Sequence, residues 1–129
     1  MAKDIELKIY MPEKQVLNQK VYRVVLPFDN KTITVLKDRA PTLIGLDIGI
    51  IQILNEENNV EDIYFIAGGC ADIKSDTCTI LTEGAINKKE LDLDKIKEMD
   101  KNYHNQFYKW IIDYCQKEEL SQKLKNKHK

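Results

Sequence analysis

Three cysteines and two histidines carry whatever covalent or metal chemistry this 129-residue sequence could perform. Cys70 and Cys78 are separated by seven residues, outside the short spacing by which paired thiolates hold zinc, and Cys115 stands alone. His104 lies in a polar stretch and His128 near the C-terminus, neither with a second ligand at metal-binding distance in sequence. A thiol nucleophile needs a neighbouring basic group that stabilises its thiolate. Cys70 and Cys78 sit in strand-like stretches without such a group beside them. A G-x-S-x-G elbow and a phosphate-cradling G-x-x-x-x-G-K-S/T loop are both absent. The pair Gly68-Gly69 would let a ligand approach the backbone, but within a strand pattern such a pair more often marks a bulge or bend. The residues therefore predict no catalytic centre, no metal and no cofactor, and point to a binding or assembly protein.

Composition agrees with that reading. Apolar residues make up 43% of the chain, enough for a core, and charged residues 32%. The formal net charge of −1 argues against a nucleic-acid partner. The charge is unevenly spread. Residues 87–129 carry 11 lysines against 8 acidic residues, a net +3, which leaves residues 1–86 at −4. Cysteines in an odd, scattered set fit a reducing compartment better than a disulfide scaffold. The apolar run from Ile48 to Leu54 is far too short to cross a bilayer, and Met1 to Ile9 has no continuous apolar signal segment. Direct membrane insertion is not expected.

Two kinds of element are called for. Up to about residue 86 the pattern has period two. Ile5, Leu7 and Ile9 alternate with polar neighbours, Val21 to Leu26 is rich in β-branched residues, and Ile33 and Val35 alternate with threonines. Gly49 to Leu54 and Ile63 to Ala67 flank a polar loop with Asn58 and Asn59, and Ser75-Asp76 is a tight-turn candidate. Pro12, Pro27 and Pro41 fall where strands should end. The many short strands predict a β-sandwich or flattened barrel. From Leu91 onward the spacing turns helical, and neither Gly nor Pro follows Gly84. Asp92 and Asp94 suit a first helical turn. Asp113 and Gln116 have capping-box spacing, which predicts a second helix from about Asp113 to Asn126. Trp110, Ile111 and Tyr114 could instead extend the first stripe into one long helix, and both readings stay open.

Taken in order, several segments resemble one family. They are Lys8 to Lys14, Val24-Val25-Leu26-Pro27, Val35-Leu36, Arg39-Ala40-Pro41, Leu46-x-x-Gly49, Tyr64 to Gly69 and Thr79 to Ala85. Their sequence and spacing look like the epsilon subunit of F-type ATP synthases, the equivalent of the mitochondrial delta subunit. The likeness runs from about Asp4 to Ile86. Phe28, Lys31 and Thr34 stand where the family has loop glycines, Arg39 where it has histidine, and Lys37-Asp38 where Pro-Gly is common. Bulkier residues at glycine positions imply a stiffer loop with an altered backbone path.

The resemblance implies a β-sandwich of about ten short strands over residues 1–87, then a C-terminal helical hairpin over 88–129. It implies a non-catalytic central-stalk subunit that couples proton-driven rotation to ATP synthesis, with inhibition of ATP hydrolysis as a further expectation. Its partners would be the gamma subunit and the c ring, with the alpha/beta head reached through the helices. It would sit peripherally on the cytoplasmic face of a bacterial inner membrane, or on the matrix face if organellar. The loop Phe28, Asp29, Asn30, Lys31 and Thr32 would face the ring. Met11, Arg39 and Ile44 would face gamma, with ordinary core packing the competing reading for Met11 and Ile44. Asp113, Lys117, Lys123, Lys125 and Lys127 would form the regulatory helix. Where some relatives bind ATP through I/L-D-x-x-R-A, this chain reads Ile112-Asp113-Tyr114-Cys115-Gln116-Lys117. A neutral amide cannot replace the guanidinium fork, so ATP binding is not expected. The competing function is a stand-alone β-sandwich adaptor with a helical docking arm.

Overall fold

The computed structural model describes residues 3–37, 40–103 and 105–127. They form two compact units, residues 1–91 and 92–129.

Strand β1 (Ile5–Met11) buries Ile5, Leu7 and Ile9 and turns Glu6, Lys8 and Tyr10 outward, as its alternation predicts. Strand β2 (Lys14–Val21) was not evident from its residues, because Lys14-Gln15 and Asn18-Gln19-Lys20 are polar and only Val16 and Leu17 are half-buried between them. Antiparallel pairing with β1 makes it a strand, across an irregularity at Ile9/Tyr10. The expected run Val21 to Leu26 is divided at Tyr22, and β3 covers Arg23–Phe28. Pro27 lies inside β3 rather than after it. The pairing of β3 with its inner neighbour has already stopped at Val25, so a missing N–H is tolerated there. Strands β4 (Lys31–Val35), β5 (Thr42–Leu54), β6 (Val60–Ile73), β7 (Thr77–Leu81) and β8 (Ala85–Asn87) complete the set.

The hydrogen-bonded order is β2-β1-β7-β6-β5-β3-β4, with β8 also on β6. All pairs are antiparallel except β1 with β7. The long strands β5 and β6 serve two layers. Gln52 to Leu54 and Tyr64 to Ile66 join β3, β4 and β8. Thr42 to Leu46 and Cys70 to Ile73 join β7, β1 and β2. Counting each half separately gives five strands per layer, which reconciles eight continuous strands with the expected ten.

Passing from one layer to the other requires a change of face. In β5 the core-facing residues are Ile44 and Leu46, then Ile51 and Ile53. In β6 they are Tyr64 and Ile66, then Ala71 and Ile73. The parity switches at Asp47 on one strand and at Gly68-Gly69 on the other. Gly68 (φ 80°) and Gly69 (φ 124°) adopt the left-handed backbone that makes this possible. The glycine pair is therefore a corner. Between the layers lie Ile5, Leu7, Ile9, Val24, Leu26, Ile51, Ile66, Ile73 and Ile80, each at most 1% exposed. Burial of a side chain of this size stabilises by about 1.5–3 kcal/mol.

After β8, a single 3-10 turn, Lys88–Glu90, stays with the sandwich. Asn87 accepts from the Lys89 N–H at 2.8 Å and donates to Asp62 at 3.0 Å. The helical unit contains α1 (Leu93–Tyr103) and α2 (Gln106–Lys127), which pack as a hairpin. Asp92 caps α1 by accepting from the Lys95 N–H at 3.2 Å. The break between the helices falls before Asn105, not at Asp113. The Asn105 side chain accepts from the Phe107 N–H at 2.7 Å and its carbonyl from the Lys109 N–H at 3.1 Å. Asp113 is thus inside α2 and caps nothing. With a good cap upstream and neither Gly nor Pro beyond it, the helix has no reason to restart. Trp110, Ile111 and Tyr114 continue α2, and Trp110 stacks on Tyr114 at 5.4 Å.

Candidate docking surfaces

The loop singled out from sequence is a tight hairpin turn. Phe28 closes β3, Lys31 opens β4, and the two central residues, Asp29 (φ 52°) and Asn30 (φ 60°), are both left-handed. A two-residue turn between antiparallel strands favours that pair of conformations, and Asp and Asn tolerate them better than other non-glycine residues. The positive φ values do not fall on Phe28, Lys31 or Thr34, so replacing glycine at those places costs no backbone strain. The altered path feared for a glycine-poor loop resolves into a plain hairpin. All five residues from Phe28 to Thr32 are exposed, Phe28 at 37%, and they end one projecting arm of the sandwich.

A second surface lies on the outer face of the β1–β7 layer. Met11, Tyr10, Pro12, Gly69, Leu81, Thr82 and Glu83 line a groove of about 290 Å³. The groove floor is set by Gly69, where a Cβ would stand 2.0 Å from the Leu81 carbonyl oxygen. Thr82 donates its N–H to the Tyr10 carbonyl at 3.0 Å and its hydroxyl to the Gly84 carbonyl at 3.0 Å, which holds the groove wall to β1. Of the residues expected to face a partner, Met11 is half-buried in this groove. Ile44 points inward and packs against the core. Arg39 lies outside the described residues. The neighbour of Ile44 presents the apolar surface instead: Leu43 is 73% exposed. Strand alternation was the available signal, since Ile44 and Leu46 facing the core put Leu43 on the other side. Leu81 is also exposed, beside Tyr10 and Cys70 in the pairing register.

The third surface is the C-terminal half of α2. At 1.5 Å per residue α2 is about 33 Å long and α1 about 16 Å, so α2 outruns its partner helix. In that half Leu120 and Leu124 are exposed at 59% and 52%, one turn apart. Asp113, Gln116, Lys117, Lys123 and Lys125 are exposed. The lysines do not make one patch. At 100° per residue Lys117 and Lys125 lie about 80° apart, while Lys123 lies on another face and pairs with Glu119 at 3.9 Å. Lys127 ends the helix.

Cys78 offers no nucleophile. Cys78 is fully buried, and burial, with the Asp72 carboxylate adding to it, pushes its pKa up from 9.0 to about 12. Among the described residues no group of three or more His, Cys, Asp or Glu could hold a metal. No described helix is long and apolar enough to cross a membrane.

Residues 4–88, the whole of the sandwich, match the family described as ATP synthase, Delta/Epsilon chain, beta-sandwich domain. The chain belongs to the ATP synthase delta/epsilon family. The epsilon chain of Chelativorans sp. (strain BNC1) is 35% identical over 92 residues, covering 71% of this chain and 67% of that one. The epsilon chain of Rhizobium meliloti (strain 1021) is 33% identical over 92 residues, covering 71% and 68%. Solved relatives share the fold. A chain of the Euglena gracilis mitochondrial ATP synthase, OSCP/F1/c-ring in rotational state 1, superposes with a TM-score of 0.63 at 22% identity. That match covers 79% of this chain and 64% of the Euglena chain. A chain of the Tetrahymena thermophila mitochondrial ATP synthase central stalk/cring gives 0.56 at 17% identity, covering 84% and 96%. As an epsilon chain the protein is a non-catalytic subunit of ATP synthase, in keeping with the lack of catalytic constellations in its sequence.

Proposed function

We propose that this epsilon chain sits on the central stalk, clamps the gamma subunit to the c ring, and so helps to transmit proton-driven rotation to the catalytic head. The observation that carries the reading is the match of the entire sandwich to the delta/epsilon family. The exposed Phe28–Thr32 turn is the ring-facing contact. The groove at Met11 and Leu81, with exposed Leu43 on the same outer face, is the gamma-facing side, where Ile44 supports the surface from within. A sandwich close-packed on both faces gives the stiffness that such a clamp needs. The chain is held at the membrane peripherally, through these partners, on the cytoplasmic face in a bacterium. A Thr32→Cys variant in assembled enzyme, oxidised against a cysteine scan of the c-subunit polar loop, is expected to form a ring cross-link. A pull-down that recovers neither gamma nor c ring would favour the stand-alone adaptor.

The overhanging half of α2 supports a second role, contact with the alpha/beta head that slows hydrolysis. Exposed Leu120 and Leu124 offer the apolar surface, and Lys117 and Lys125 the charge. Deleting residues 113–129 is expected to raise ATP hydrolysis by the assembled enzyme, and an unchanged rate would discard the brake. ATP is not expected as a ligand of α2, since Gln116 and Lys117 stand where the nucleotide-binding motif has Arg and Ala.

A further inference from the structure

The tip of the β3–β4 hairpin has few ties, although Leu26, Ile33 and Val35 nearer its base pack in the core. Strand β3 pairs with β5 only through Arg23, Val24 and Val25, opposite Leu54, Ile53 and Gln52. From Leu26 to the turn and back, the strand pairing of β3 is with β4. The tip is left-handed at two successive non-glycine residues, Asp29 and Asn30, each less favourable there than glycine. A tip built in this way would be expected to open readily. One bond opposes this. The Asn30 N–H donates to Asp47 Oδ2 at 2.8 Å, joining the turn to β5 across 17 residues of sequence. Bonds to a carboxylate are roughly twice as strong as those between neutral groups.

The place of Asp47 gives the bond its meaning. It stands where β5 changes face, between the pairs Leu46–Gly69 and Ile48–Ala67 that also flank Gly68 of β6. The two strands approach closely there: a Cβ on Gly68 would lie 3.2 Å from the Leu46 carbonyl oxygen. A force applied at Asn30 therefore reaches the point where both long strands pass from one layer to the other. We propose that Asp47 is the positioning residue for the Asp29–Asn30 turn, its carboxylate locking the arm tip to the β5–β6 corner so that the turn presents a fixed surface to the c ring. The locking stands on the structure alone, while the last clause rests on the ring-facing assignment.

Asp47→Ala removes the acceptor, and Asp47→Asn keeps an acceptor oxygen. In the isolated full chain, Asp47→Ala is expected to speed amide exchange at Asn30 about tenfold, with Asp47→Asn close to the parent and the melting temperature of both unchanged. Unaltered exchange at Asn30 in Asp47→Ala would overturn the proposal. In the assembled enzyme, Asp47→Ala is expected to lower protons pumped per ATP hydrolysed, with recovery in Asp47→Asn. Faster exchange with full pumping would overturn the positioning role. The Thr32→Cys cross-link decides the ring contact separately, so failure of the lock and failure of that contact remain distinguishable.

Discussion

Gly69 and Cys78 show how single residues set limits on this fold. At Gly69 the backbone is left-handed, and an added methyl would overlap the Leu81 carbonyl at 2.0 Å. Neither β6 nor β7 can yield there without losing the register that pairs Cys70 with Leu81. Gly69→Ala is expected to destabilise the sandwich by about 3 kcal/mol or more, read as a lower urea midpoint. Cys78 limits the alkaline range instead. Its thiol stays protonated in the folded chain up to about pH 12, whereas an unfolded thiol ionises from about 9.0. The unfolded state thus binds fewer protons above pH 9, and stability falls as pH rises from there towards 12, by at most roughly 1.4 kcal/mol per unit. Cys78→Ala is expected to show a shallower loss over this range in parallel urea titrations. An identical slope in both proteins would show that the thiol does not contribute.

At the scale of elements, the ends and corners decide more than the interiors. The helix α2 begins where Asn105 satisfies the Phe107 N–H, and no later residue competes. Asn105→Ala is expected to cost the helical unit about 1 kcal/mol. Hydrogen exchange would report it as faster exchange of the amides at residues 106–109, with the sandwich amides unaffected. The β3–β4 arm follows the same logic. Its handedness is carried by Asp29 and Asn30, which is why losing glycines at Phe28, Lys31 and Thr34 left the hairpin intact. In the loop between β5 and β6, Asn55 Oδ1 accepts from both the Glu57 and the Asn59 N–H at 2.9 Å. Arg23 then donates to Asn58 Oδ1 at 2.6 Å, tying that loop to the start of β3.

For the whole molecule, the division into two units has a physical consequence. Every residue of the main core cluster, from Ile5 to Ile80, belongs to the first unit. The lock of Asn87 onto Asp62 also keeps the 3-10 turn with the sandwich, so the boundary falls at Leu91 rather than at residue 87. A chain ended after Leu91 is expected to unfold cooperatively with a β-type circular dichroism spectrum and to keep most of the parent's melting temperature. A broad, non-cooperative melt would show that the helices are needed to close the core. The same truncation in assembled enzyme is expected to leave the proposed ring and gamma contacts in place while removing the proposed action of α2 on the head.

Local pattern alone determined the class of each half: alternation at Ile5, Leu7 and Ile9 can bury one face only as a strand, and the helical spacing of apolar residues from Leu91 onward can bury one only as a helix. The ordered motifs from Lys8 to Ala85 carried the family, and with it a non-catalytic role. Tertiary structure decided what depends on partners distant in sequence. Strand β2 exists because β1 offers it an edge, Leu43 rather than Ile44 meets the outside because β5 changes face at Asp47, and α2 starts at Gln106, capped by Asn105, because a helix already capped upstream does not restart at Asp113. A side chain's own type settles which conformation it prefers, but its neighbours across the fold settle which way it points.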